Sequence, residues 1–105
     1  MKKPSLWMPE PNVALHQAIG KLAEEAGELA TIAARCLIQG VDQCEPVTGK
    51  PNLTALLQEM ADVIAILNVV HEELGDRLTE ELDDEMDERI TRKIAHKKEW
   101  LEAIR

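Results

Sequence analysis

The stretch Met60-Ala-Asp-Val-Ile-Ala-Ile-Leu-Asn-Val-Val70 limits this chain more than any other. Apart from Asp62 and Asn68 it is apolar without a break. Glycine and proline are absent, and Asn52 before it and Gly75 after it supply start and stop signals for a helix over about Leu53–Leu74. A helix that is apolar on every side must be covered on every side. A chain of 105 residues buries only about two-thirds of its unfolded surface and has one modest core. It therefore cannot wrap such a helix alone, so the helix is expected at the centre of an oligomer. Asp62 then needs a partner, because an unpaired charge in apolar surroundings costs several kcal/mol.

The rest of the chain is also helical in pattern. Asn12 after Pro11 is a helix N-cap signal. Leu15, Ile19, Leu22, Ala26, Leu29, Ala33 and Leu37 recur at three- and four-residue steps, which predicts a helix from Val13 to about Ile38, stopped by Gly40. Residues 40–52 carry Gly, Pro and Asn and read as a loop, in which Lys50 is within reach of a phosphate. Leu78, Leu82, Met86, Ile90 and Ile94 step by four through a last helix ending near Ala103. Its acidic run, Glu80 to Glu88, precedes a basic run, Arg89 to Lys98. That order suits the helix dipole and allows the pairs Glu85–Arg89 and Glu88–Arg92. Residues 1–12, with three prolines, read as an irregular arm. Trp7 in that arm is either a packing anchor or a platform for a flat ligand. The chain has no Tyr or Phe and is dominated by helix formers. The expected fold is all-α: a single domain over 1–105, an antiparallel bundle of three to four helices per chain, completed by oligomerisation.

A net charge of −8 argues against a nucleic-acid polymer as partner, but not against one nucleotide held through a cation. No run approaches about 18 uninterrupted apolar residues, so no membrane span is expected. Lys2-Lys3 is not followed by a signal-peptide h-region, so a cytoplasmic chain is expected. Cys36 and Cys44 have neither redox nor zinc spacing and read as reduced thiols.

Two carboxylate groups carry the chemistry. On the first helix, Glu25 and Glu28 lie about 60° apart on one flank, shared with Lys21 and Ile32, and Glu24 points further round. On the second, Glu59 lies one turn before Asp62. If the helices pack side by side, the two pairs form an oxygen-only site suited to Mg²⁺, with Mn²⁺ as a substitute. Glu24 is then placed to orient a water or act as general base. A di-iron centre needs Glu-x-x-His pairs, and His16, His71 and His96 all lack them.

Glu24-Glu25-x-x-Glu28 followed by Glu59-x-x-Asp62 resembles the MazG-like, all-α nucleoside triphosphate pyrophosphohydrolases, over roughly residues 13–75. The resemblance implies a helical bundle assembled as homodimers or homotetramers. It also implies Mg²⁺-dependent hydrolysis of a nucleoside triphosphate to the monophosphate and pyrophosphate. Carried over, Glu25, Glu28, Glu59 and Asp62 are metal ligands, and Glu24 supports the attacking water or a further metal ion. Members often carry Lys, then Asn and further basic residues, on the last helix. Lys93, His96 and Lys97 stand in the similar stretch, with His96 in place of Asn. Lys21, Trp7 and Asn68 complete the candidate substrate contacts, and Asn68 is equally readable as a polar lock between subunits. Phosphoribosyl-ATP pyrophosphohydrolase, of the same superfamily, is a second expectation. A helical interaction module without catalysis is a third.

Overall fold

The computed structural model describes residues 7–105 and is all-helical. The lead-in around Lys2-Lys3 lies outside the described residues. Helix α1 spans Val13–Gln39, α2 spans Asn52–Leu74, and α3 spans Glu80–Ile104, preceded by a short 3₁₀ turn at Gly75–Arg77. The chain groups into two compact units that divide between Leu74 and Gly75.

The first unit is a hairpin of α1 and α2. At the start of α1 the Leu15 N–H donates to Asn12 Oδ1 at 3.0 Å, capping one of the amides a helix start leaves unpaired. At its end Gly40 turns the chain with φ 98°, a conformation that a β-carbon disfavours. The connecting loop is closed by a single antiparallel bridge between Cys44 and Pro51. Inside it the Glu45 carboxylate accepts from the Val47 and Thr48 amides, at 2.9 and 2.6 Å, and from the Thr48 hydroxyl at 2.6 Å. The Lys50 ammonium is spent on the Gln58 side-chain oxygen rather than left open for a phosphate.

Asn52 departs from expectation. It does not cap α2 with its side-chain oxygen. It is 1 % exposed, and its amide nitrogen donates to Gly40 O at 3.0 Å and to Gln39 Oε1 at 3.3 Å. One buried amide thus ties the start of α2 to the end of α1 and sets where the two antiparallel helices begin to pack.

The packing seam of α1 is Leu15, Ala18, Leu22, Glu25, Leu29, Ile32 and Cys36, all buried or half-buried. It is turned from the sequence stripe: Ile19, Ala26 and Leu37 are exposed, and Ala18, Glu25 and Ile32 are drawn inward. The matching seam of α2 is Asn52, Ala55, Glu59, Val63, Ile66 and Val70. Both run at three- and four-residue steps, the spacing of helices that pack along their length. Only Leu15, Ala18 and Ala55 are fully buried apolar residues among those described.

The second face of α2 is exposed among the described residues of a single chain. Leu53, Leu57, Met60, Ile64 and Leu67 form another stripe at helical steps, each between 42 and 57 % exposed. Asp62 and Asn68, expected within covered surroundings, are also exposed. The membrane expectation needs amendment. By length and composition the helical stretch Asn52–Arg77 is apolar enough to cross a membrane, with a mean hydropathy of 1.6. Asp62 and Asn68 interrupt the run without lowering its average far. A core helix of a soluble protein passes the same measure, and Glu59 and Asp62 would be costly inside a span.

The second unit is one long amphipathic helix. Its start is capped by Thr79, whose hydroxyl accepts from the Leu82 N–H at 3.2 Å. Its 25 residues match the four-step apolar pattern in length. The Glu85–Arg89 and Glu88–Arg92 pairs that the spacing allows are not closed, and these four side chains extend into solvent.

Candidate metal centre

The α1–α2 seam contains two acids. Glu25 and Glu59 are half-buried in it, with Asp62 one turn beyond Glu59 at its edge. One carboxylate oxygen from each of Glu25, Glu59 and Asp62 lies within 4.8 Å of the others. Helix geometry explains the convergence. Residues 59 and 62 share a side of α2, and antiparallel packing sets them beside the middle of α1. Of the five acids picked out in the sequence, the structure brings these three together.

Glu28 and Glu24 stand apart from the group. Glu28 is exposed, because the seam runs through Glu25 and three residues turn the helix by about 60°. Glu24 faces solvent and pairs with Lys21 at 3.2 Å.

Two oxygens show what the cluster lacks. Glu25 Oε2 and Glu59 Oε2 are both buried and have no hydrogen-bond partner. A buried acceptor without a donor costs about 1–3 kcal/mol, and more when it is charged. The neighbouring cation, Lys21, approaches Glu25 through the other oxygen, Oε1, at 3.5 Å. The Glu24 carboxylate, hydrogen-bonded to the Lys21 ammonium, raises its pKa above the ordinary lysine value, and Glu25 adds to that. Lys21 stays charged and remains half-exposed, so it offsets only part of the repulsion.

A hard divalent cation fits this donor set. All three ligand groups are carboxylates, the oxygen-only chemistry that Mg²⁺ and Mn²⁺ prefer. Two of these residues, Glu25 and Glu59, each hold one buried oxygen without a hydrogen-bond partner. Three protein ligands leave coordination positions for water and phosphate, which is how Mg²⁺ is usually held.

Beside the acids lies a cavity of about 240 Å³ lined by Lys21, Glu25, Asp62, Ala65, Ile66 and Val69. It is charged at one end and apolar at the other. Ala65, Ile66 and Val69 were not singled out from sequence, since in an unbroken apolar run nothing distinguishes a cavity wall from core.

Trp7 is 90 % exposed. Asn68 is exposed on α2, three residues past the apolar wall's first residue. Lys93, His96 and Lys97 are exposed on α3, in the second unit. Cys36 and Cys44 are free thiols.

No family model, curated protein or solved structure matches this chain.

Proposed function

We propose that the protein is a Mg²⁺-dependent nucleotide pyrophosphohydrolase, cleaving a nucleoside triphosphate between its α and β phosphates. The observation that carries the reading is the pair of orphaned, buried carboxylate oxygens on Glu25 and Glu59, gathered with Asp62 at the head of a half-apolar cavity. The motif pair Glu24-Glu25-x-x-Glu28 and Glu59-x-x-Asp62, with its resemblance to MazG-like enzymes, supports the same chemistry.

Glu25, Glu59 and Asp62 would hold the cation. Bound there, Mg²⁺ supplies positive charge to the phosphate oxygens and makes water a better nucleophile. Lys21 holds a second positive charge at the cavity mouth, suited to a non-transferred phosphate oxygen. Glu24, exposed beside it, is the carboxylate available to take a proton from the attacking water. The wall of Ala65, Ile66 and Val69 excludes water from one side and gives a nucleoside an apolar surface.

The reading includes assembly. The exposed stripe Leu53, Leu57, Met60, Ile64 and Leu67 is too apolar and too regular for a lone chain, and homo-oligomerisation would cover it. It lies on the same helix as Glu59 and Asp62, so assembly and site would stand or fall together.

The test is pyrophosphate release from a panel of nucleoside triphosphates and phosphoribosyl-ATP, with and without Mg²⁺. Mg²⁺-dependent release from nucleoside triphosphates is the expected result. Release from phosphoribosyl-ATP alone would move the activity to histidine synthesis. No release from any compound, with no change in melting temperature on adding Mg²⁺ or Mn²⁺, would leave a non-catalytic helical module.

A further inference from the structure

Helix α3 carries an apolar stripe and two blocks of opposite charge. Leu82, Met86, Ile90 and Ile94 lie along one side, each 45 to 50 % exposed. Residues 80–88 hold seven acids and no base, and residues 89–98 hold five Lys or Arg and no acid. Glu81, Glu85, Lys93 and Lys97 lie on one flank of the stripe, and their side chains form no ion pair or hydrogen bond among the described residues. An exposed stripe of this kind implies a partner, and the charge blocks identify which one.

That partner must offer cations to the first half of α3 and anions to the second. Helix α2 has no Lys or Arg, and α1 has only Lys21 and Arg35. The one dense block of cations in the chain is on α3 itself. A continuous helix cannot fold back on itself, so the complement lies on another copy. Parallel pairing would set acid against acid. We infer that α3 is a self-association surface that pairs antiparallel with α3 of a second copy, the acidic half of each against the basic half of the other.

The register follows from the residues. With the two-fold axis at Arg89, Glu85 faces the partner's Lys93 and Glu81 faces the partner's Lys97. The apolar residues then interdigitate: Ile94 falls between the partner's Leu82 and Met86, and Ile90 between the partner's Met86 and Ile90. This is side-chain packing into the gaps of a facing helix, as in coiled coils. Along about 37 Å of helix each contact occurs twice by symmetry. The inference does not depend on the metal-centre reading.

Sedimentation equilibrium of the full-length chain tests it. The wild-type protein is expected to self-associate. Glu81→Lys with Glu85→Lys makes the flank of the stripe basic throughout, and Lys93→Glu with Lys97→Glu makes that flank acidic apart from Arg89. Each double variant turns four attractive contacts repulsive, and its self-association through this surface should weaken on the order of a hundredfold. An equimolar mixture of the two should regain wild-type strength, because each then faces its complement. That recovery also shows that both variants are folded. Orientation is read by cross-linking in a Cys36→Ser, Cys44→Ser background: Arg89→Cys should form an intermolecular disulfide and Glu81→Cys should not. A monomeric wild type, variants that associate as wild type does, a mixture that fails to recover, or cross-linking through position 81 instead of 89 would each overturn the inference.

Discussion

Replacing Glu59 with Gln separates a metal site from a structural acid, because the two roles predict opposite changes in stability. Without a cation, Glu25, Glu59 and Asp62 hold three negative charges whose nearest oxygens lie within 4.8 Å. At that distance a pair repels by about 0.9 kcal/mol in a water-like medium and about 3.5 kcal/mol at an effective dielectric of 20. Glu59 takes part in two of the three pairs. Because Asp62 is exposed, its pair belongs near the lower figure, while the half-buried pair with Glu25 lies between the two. Removing the charge should stabilise the cation-free protein by about 1–3 kcal/mol. The introduced amide can also donate where Oε2 now has no partner. For a chain of this length that is a rise in melting temperature of roughly 5–14 °C.

The cation response should move the other way. A ligand at a hundred times its dissociation constant stabilises the folded state by about 2.7 kcal/mol, and the Glu59→Gln variant should lose most of that. Thermal melts of both proteins in EDTA and in excess Mg²⁺ read the two effects together. The expected result is a variant more stable than wild type in EDTA and nearly indifferent to Mg²⁺. A variant less stable in EDTA, or one that keeps the full Mg²⁺ shift, would refute the reasoning. The first outcome would mean that Glu59 finds a compensating partner, and the second that the cation binds elsewhere.

Three further outcomes follow from the hairpin. Asn52→Ala removes the buried amide that joins the two helix ends and its bonds to Gly40 O and Gln39 Oε1, while Gly40 O keeps the Gln43 N–H; a loss of about 1–2 kcal/mol in chemical unfolding is expected, and an unchanged midpoint would contradict that role. Asn12→Ala should cost about 1 kcal/mol through the lost cap and speed amide exchange at Leu15. The Glu45 carboxyl is lowered to about 2 by the Thr48 hydroxyl and the amides of Val47 and Thr48. Its native pKa lies below its unfolded one, so the stabilisation is complete above the ordinary carboxylate pKa and fades as pH falls toward 2. Amide chemical shifts of Val47 and Thr48 should follow one low-pH titration, and Glu45→Gln should abolish it.

Much of the helical structure was legible from local chemistry. Asn12 and Gly40 bracket α1 because a cap side chain and a left-handed glycine act within a few residues of themselves. The four-step recurrence from Leu82 to Ile94 set the length of α3 for the same reason. The two carboxylate groups also stood out, since acids within apolar helical runs are conspicuous. The rotation of α1 was not legible. Leu15, Leu22 and Leu29 are common to the stripe read from sequence and the observed seam, but Ile19 and Ala26 turn outward while Ala18 and Glu25 turn in. Hydrophobicity alone favours the stripe with Ile19. Close approach of two helices favours small residues, and the seam has Ala18 meeting a helix whose buried residues include Ala55.

Three helices, the Asn12 cap, the Gly40 stop and a pair of acidic groups could be read along the chain, because each is written in residues near one another. Tertiary structure decided which acids meet. A turn of about 60° separates Glu25 in the seam from Glu28 in solvent. That difference is set by how α1 lies against α2, anchored by Asn52 at their shared end. Spacing along one helix leaves such a rotation open, and only packing against a second helix settles it.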